Sequence, residues 1–140
     1  MTKVFIDTNI LLDIIEARQP FVLASSNVFD LGVRGVIQMY CIPLTFANCA
    51  YTARKNIGYE QAVKGLRLLK RYVKATTMDD GQVQNALNSD MPDFEDMLQY
   101  EAAVAAGCEV IVTRDRRRHF PVDGISVMSP EDFLSVYSNT

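Results

Sequence analysis

Four acidic side chains in this sequence stand where chemistry can be done. Asp7 directly follows the apolar run Val4-Phe5-Ile6, and Asp115 follows Glu109-Val110-Ile111-Val112-Thr113 after Arg114. Asp93 and Asp96 fall in the first turn of a helix expected to open at Pro92. Acids at the carboxyl ends of strands lie where open parallel sheets bind ligands, and a short connection brings the first turn of the Pro92 helix over the same edge. Carboxylates gathered without basic partners repel one another unless a cation or protons neutralise them. Oxygen ligands without clustered His or Cys suit a hard cation, Mg2+ or Mn2+, better than zinc. Such a cation activates water and neutralises charge developing on a phosphodiester, so no protein nucleophile is needed. Phosphodiester hydrolysis is the expected chemistry.

Each acid also has a purely structural reading. Asp7 and Thr8 can cap a helix begun at Asn9-Ile10-Leu11-Leu12, and Asp93 and Asp96 can favour the positive end of their helix dipole. Asp115 has Arg114, Arg116, Arg117 and Arg118 beside it and can form an ordinary ion pair. The single histidine, His119, has no nucleophile paired with it and reads as a surface or capping residue. A phosphoacceptor or phosphatase domain, in which a strand-end Asp is phosphorylated, is disfavoured because Asp7-Thr8-Asn9 lacks a second acid two positions on.

The elements that must position these acids alternate along the chain. Strands are expected at Val4–Ile6, Val36–Ile42, Tyr72–Thr76, Glu109–Thr113 and Ile125–Met128. Helical spacing marks Ser25–Val33, Leu44–Lys55, Tyr59–Arg71, Asp80–Leu87 and Pro92–Ala106, with Gly58, Gly107 and Gly124 at the joins. Strands separated by helices imply an α/β fold whose parallel sheet is covered on both faces. At 140 residues, 49% apolar and 22% charged, the chain fits a single domain over 1–140 with a core that needs neither disulfide nor metal. Cys41, Cys49 and Cys108 are odd in number and lack zinc-ligand spacing, so they read as reduced, buried thiols. Asp7 and Asp13 interrupt the first apolar stretch, and no run is long enough to span a membrane, so a cytoplasmic protein is expected.

A net charge of −3 argues against indiscriminate coating of nucleic acid, yet the charge is segregated. Arg54 to Lys74 holds seven Lys or Arg against Glu60 alone, whereas Asp79 to Glu109 holds eight acids and no base. In the basic stretch Ala62, Leu66, Leu69 and Val73 share one side of a helix, and Lys64, Arg67, Lys70, Arg71 and Lys74 crowd the adjoining arc. That arc is either a solvated helix face or a ridge for phosphates.

Asp7-Thr8-Asn9-Ile10-Leu11-Leu12-Asp13 after a short apolar strand, Asp93-Phe94-Glu95-Asp96 opening an Ala-rich helix, and Val112-Thr113-Arg114-Asp115 followed by His119-Phe120 together resemble a bacterial PIN domain. The likeness covers nearly the whole chain, including Ser129-Pro130-Glu131-Asp132-Phe133-Leu134. The resemblance implies a three-layer α/β/α sandwich with a central, mainly parallel sheet and Mg2+- or Mn2+-dependent ribonuclease activity. It also implies, for many members, a role as the VapC-type toxin of a toxin–antitoxin pair. RNA, an antitoxin protein and a second copy of the chain are the partners it implies.

Carried over by position, Asp7, Asp96 and Asp115 resemble the catalytic, metal-binding acids, and Asp93 is either a further ligand or a helix-terminal acid. Thr8, Asn9 and Thr113 would orient water or the ligand carboxylates. Asn48 stands where most members have Glu; its amide oxygen can hold a metal or a metal-bound water but brings no charge. A catalytically silent PIN-like module that binds RNA or protein is therefore the alternative. Lys64, Arg67, Arg71, Lys74, Arg116 and Arg117 are the expected contacts to RNA phosphates beside the acidic site.

Overall fold

The computed structural model describes residues 1–115, 120 and 124–137. In chain order the elements are β1 (Thr2–Ile6), α1 (Thr8–Ile15), α2 (Val22–Val33), β2 (Ile37–Cys41), α3 (Pro43–Ile57) and α4 (Tyr59–Lys70), then β3 (Val73–Ala75), α5 (Asp80–Leu87), α6 (Phe94–Ala105), β4 (Val110–Val112), β5 (Ser126–Met128) and α7 (Pro130–Tyr137). Among the described residues the strands form one sheet in the order β3-β2-β1-β4-β5, and each of its pairings is parallel. The expectation of a mainly parallel sheet between helical layers is thereby met and sharpened.

Period-two alternation sorts the strand residues between the layers. Val4 and Ile6 of β1, with Val110 and Val112 of β4, pack against Leu11 of α1, Leu31 of α2, Ala53 of α3, Leu66 of α4 and Phe133 of α7. Phe5 and Ile111 point the other way, onto Ala102 and Ala103 of α6. Both faces of the central strands are apolar, as a parallel sheet buried between helices requires. Met97 and Leu98 of α6 meet Ala86 of α5, joining the two helices of that layer.

Local chemistry sets the joins. Gly58 adopts φ +83° between α3 and α4, and Gly107 adopts φ +75° between α6 and β4, where side-chain-bearing residues are strained. The helix expected to open at Pro92 begins at Phe94, because Asp93 is extended and its side chain accepts from the Asp96 amide at 2.9 Å. Asp93 is thus the residue before the first turn, not a member of it. The helix expected from Ser25 begins at Val22.

The strand order places the reversal of winding between β1 and β4. From β1 the chain moves outward through β2 to β3, then crosses back to β4 on the other side and continues to β5. The helices that follow β1 pack on one face of the sheet and α6, which leads into β4, packs on the other, and a crevice is expected at the carboxyl edge of such a switch point. α1 and α3 lie side by side on one wall: the Thr8 and Thr45 hydroxyls meet at 3.2 Å near their starts, and Asn56 Nδ2 donates to Glu16 Oε1 at 2.7 Å near their ends.

Candidate functional site at the carboxyl edge of the sheet

Asp7 leaves β1 directly into the crevice and is fully buried. Its backbone amide donates to the Val112 carbonyl at 3.0 Å, tying it to the end of β4. One carboxylate oxygen, Oδ1, accepts from the Thr8 amide at 2.7 Å, and Oδ2 accepts from the Thr113 hydroxyl at 2.7 Å. Asp7 is therefore the cap of α1 and part of the crevice at once. The Thr113 oxygen also accepts from the Asp115 amide at 3.2 Å, so a single hydroxyl touches both the Asp7 carboxylate and the backbone of half-buried Asp115.

α3 supplies the adjoining wall. Thr45 is fully buried against Thr8, and the Cys49 thiol donates to the Thr8 carbonyl at 3.9 Å. Asn48 lies one turn after Thr45 and is half-buried, as is Asn9 in the first turn of α1. The role of Thr45 escaped sequence reasoning; its signal is a hydroxyl two residues after a Pro that starts a helix at a strand end.

Asp96 is buried on α6. The far end of that helix sits at the amino edge of the sheet, where Lys3 Nζ donates to the Ala106 carbonyl at 3.3 Å and the Glu109 amide donates to the Lys3 carbonyl. Its first turn, carrying Asp96, accordingly lies toward the carboxyl edge. Asp93 is exposed, with one oxygen engaged as the cap. One turn beyond Asp96, Gln99 is fully enclosed, and neither of its amide atoms has a hydrogen-bond partner among the described residues.

The acids share an edge without forming a closed ligand set. Among the described residues, no group of three or more His, Cys, Asp or Glu is arranged to hold a metal ion. The donor types nevertheless suit a hard cation: Asp7, Asp96 and Asp115 are carboxylates, and the Thr113 hydroxyl lies on the Asp7 carboxylate. The thiols are unsuited to a softer metal, because burial pushes Cys41, Cys49 and Cys108 up to about 12 and keeps them protonated.

Arg114 has a partner that local sequence does not suggest. Its Nε donates to Asp13 Oδ2 at 2.9 Å, and Ser25 Oγ donates to the same oxygen at 3.1 Å. Asp13 is fully buried, and its second oxygen has no hydrogen-bond partner among the described residues. The guanidinium also lies 4.0 Å from the centre of the Phe21 ring. The signal for Asp13 is an acid inside the apolar run Ile10 to Ile15, where a buried charge demands a counterpart.

The basic residues divide between two places. Lys64 and Arg67 line an open depression of about 510 Å3 with Tyr59, Glu60 and Val63. Arg71 and Lys74 line a different one, about 230 Å3, with Met1, Gly35 and Ile37 at the amino end of β1 and β2. A Cβ added at Gly65 would meet the Ile15 side chain at 3.5 Å, so the middle of α4 lies against the end of α1, roughly two helical turns from Asp7. Arg116, Arg117 and His119 lie outside the described residues.

Comparison with known proteins joins this geometry to a family. The model of the PIN domain matches residues 3–117. Ribonuclease VapC1 of Aquifex aeolicus is 24% identical over 144 residues, covering 94% of this chain and 92% of that protein. Among solved structures, DNA-bound VapBC from Salmonella typhimurium superposes with a TM-score of 0.64 at 19% identity, over 93% of this chain and 99% of that one. Mycobacterium tuberculosis VapC20, described as a Sarcin-Ricin loop cleaving toxin, superposes with a TM-score of 0.62 at 12% identity, over 77% and 86%. Those likenesses concern the fold, and the family match spans most of the chain, including the ends of β1 and β4 that carry Asp7 and Asp115; this chain belongs to the PIN-domain family.

Proposed function

We propose that this chain is a metal-dependent endoribonuclease that hydrolyses RNA phosphodiesters, acting as a single domain over 1–140 and as the toxin of a toxin–antitoxin pair. The observation that carries the reading is the Thr113 hydroxyl joining the Asp7 carboxylate to the Asp115 backbone where the sheet reverses its winding. The similarity to a ribonuclease of Aquifex aeolicus supports the reaction class, and that to VapBC structures supports a protein partner.

Asp7, Asp96 and Asp115 would hold Mg2+ or Mn2+, with the second oxygen of the Asp93 cap as a further ligand. A cation bound there supplies an activated water and offsets charge on the phosphodiester. Thr113 and the Thr8 amide orient the Asp7 carboxylate, a task that outer ligand partners commonly perform. Asn9 and Asn48 present amides at the crevice walls for water or substrate. Lys64 and Arg67, with Arg116 and Arg117, contact RNA phosphates, whereas Arg71 and Lys74, which the sequence groups with them, line the separate depression at the amino end of β1 and β2. A homodimer in the cytoplasm is the expected working form.

The test is cleavage of RNA by purified, partner-free protein with and without Mn2+, compared with Asp7→Asn prepared in parallel. Cleavage that needs Mn2+ and vanishes in the variant is the expected result; metal-independent cleavage, or an unaffected variant, sinks the assignment. Asn48 favours a second reading, a catalytically silent module that binds RNA or protein, because an amide in place of a carboxylate leaves the site one charge short. Calorimetry separates the two: RNA binding without Mn2+ binding supports the silent module, whereas Mn2+-dependent turnover excludes it. On the nuclease reading, Asn48→Glu tightens Mn2+ binding.

A further inference from the structure

We propose that the buried Asp13–Arg114 pair is a latch that positions Thr113 and Asp115 along α1, and so shapes the acid site without touching its ligand; the inference rests on the metal-site reading above. Two successive residues after β4 reach two points of one helix. Thr113 donates to Asp7 at the start of α1, and Arg114 donates to Asp13 six residues farther along, roughly 9 Å by helical rise. Asp115 follows immediately, its amide on the Thr113 oxygen. β4 itself ends at Val112, so beyond it the Thr113 amide bond to the Met128 carbonyl, the Thr113 hydroxyl and the Arg114 anchor govern where residues 113 to 115 lie.

The surroundings of the pair suit a fixed anchor. Asp13 is inaccessible to solvent, Ser25 of α2 donates to the same oxygen as Arg114, and Phe21 at the start of α2 covers the guanidinium. Three segments, α1, α2 and the turn after β4, are thus pinned at one point. The pair is neutral as a unit, so it adds no charge to the crevice. It also commits Arg114 Nε to Asp13 Oδ2. Arg114 is a positioning residue on this account, separate in task from the arginines that follow it in sequence.

Removing one partner leaves a buried charge and invites misfolding, so the decisive variant is the neutral double, Asp13→Asn with Arg114→Gln, beside the single Asp13→Asn. Three quantities are measured on the full-length protein: Mn2+ affinity by calorimetry, RNA turnover as a function of Mn2+, and amide hydrogen exchange at Thr113 and Asp115. The expected result is Mn2+ binding weakened about tenfold, as for other outer partners of metal ligands. Turnover at saturating Mn2+ should stay within about threefold of the parent, and exchange at Thr113 and Asp115 should be at least about tenfold faster, while amides of β2 are unchanged. A folded double variant with parental Mn2+ affinity and parental exchange overturns the latch. If the parent protein binds no Mn2+, the metal-site reading fails, and exchange alone then decides the latch: acceleration confined to residues 113 to 115 supports it, and unchanged exchange overturns it.

Discussion

Asp7 and Asp13 are the same residue type on the same short helix, both at 0% exposure, yet the protein satisfies them in different ways. Asp13 receives a guanidinium and a hydroxyl on one oxygen, so its charge is cancelled where it lies. Asp7 accepts from an amide and a hydroxyl at a helix N-terminus, dipoles that orient its carboxylate. Burying a charge is tolerable by either route. One end of α1 faces the switch point with its carboxylate held by an amide and a hydroxyl, and the position two turns inward ties α1 to α2 and to the turn after β4.

The largest effect should come from breaking the ion pair alone. Arg114→Ala leaves Asp13 as an uncompensated buried charge and should cost about 3–5 kcal/mol, a fall in Tm on the order of 10 °C for a chain of this size, read by thermal melting. Asp7→Asn keeps the shape and the cap, so its Tm should move by far less even though cleavage is lost; equal destabilisation by the two variants would erase the contrast. Thr113→Val is intermediate. It strips Asp7 of a hydroxyl donor, and a loss of about 1–3 kcal/mol in stability is expected from denaturant unfolding, with weaker Mn2+ binding as its sharper signature.

A smaller effect tests how far the site extends. Lys64→Ala with Arg67→Ala should weaken RNA binding uniformly across sequences and flatten the dependence of log K on log salt by about one for each phosphate left without its cation. An unchanged slope would assign the depression beside Tyr59 to something other than RNA. The smallest concerns the α3 wall. Burial holds the Cys49 thiol at about 12 against an ordinary 9.0, so the folded state keeps its proton more firmly than the unfolded chain does. The resulting stability is complete below pH 9 and is lost as pH rises from 9 toward 12, which melting curves will show; iodoacetamide at pH 8 should leave the native thiol unlabelled. Rapid labelling would mean that α3 parts from α1 beside Asp7.

Much of the fold was legible because its signals are local. Apolar strands bounded by glycine, helical spacing between them and acids at strand ends all repeat within a few residues, and the elements fall within a few residues of where the patterning puts them. The place of Asp7 at the end of a strand was legible for the same reason, since the strand that ends at Ile6 announces it. The start of α6 was misjudged by two residues because Pro92 looks like a first helical position, while the Asp93 cap outweighs it. Asp13 and Arg114 were illegible as a pair, for 101 residues separate them and no local period connects them.

By itself the sequence determined the alternation of strands and helices, the strand-end placement of Asp7 and Asp115, and the segregation of basic from acidic stretches, because each depends on neighbours along the chain. Tertiary structure alone decided that β4 lies beside β1, that Thr113 therefore bridges Asp7 and Asp115, and that Arg114 turns to Asp13. It also separated Lys64 and Arg67 from Arg71 and Lys74, which one stretch of sequence had grouped. The physical reason is that a side chain's charge and hydrogen-bonding capacity are written in its own residue, whereas its partner is set by which crossover brings a distant strand to its side.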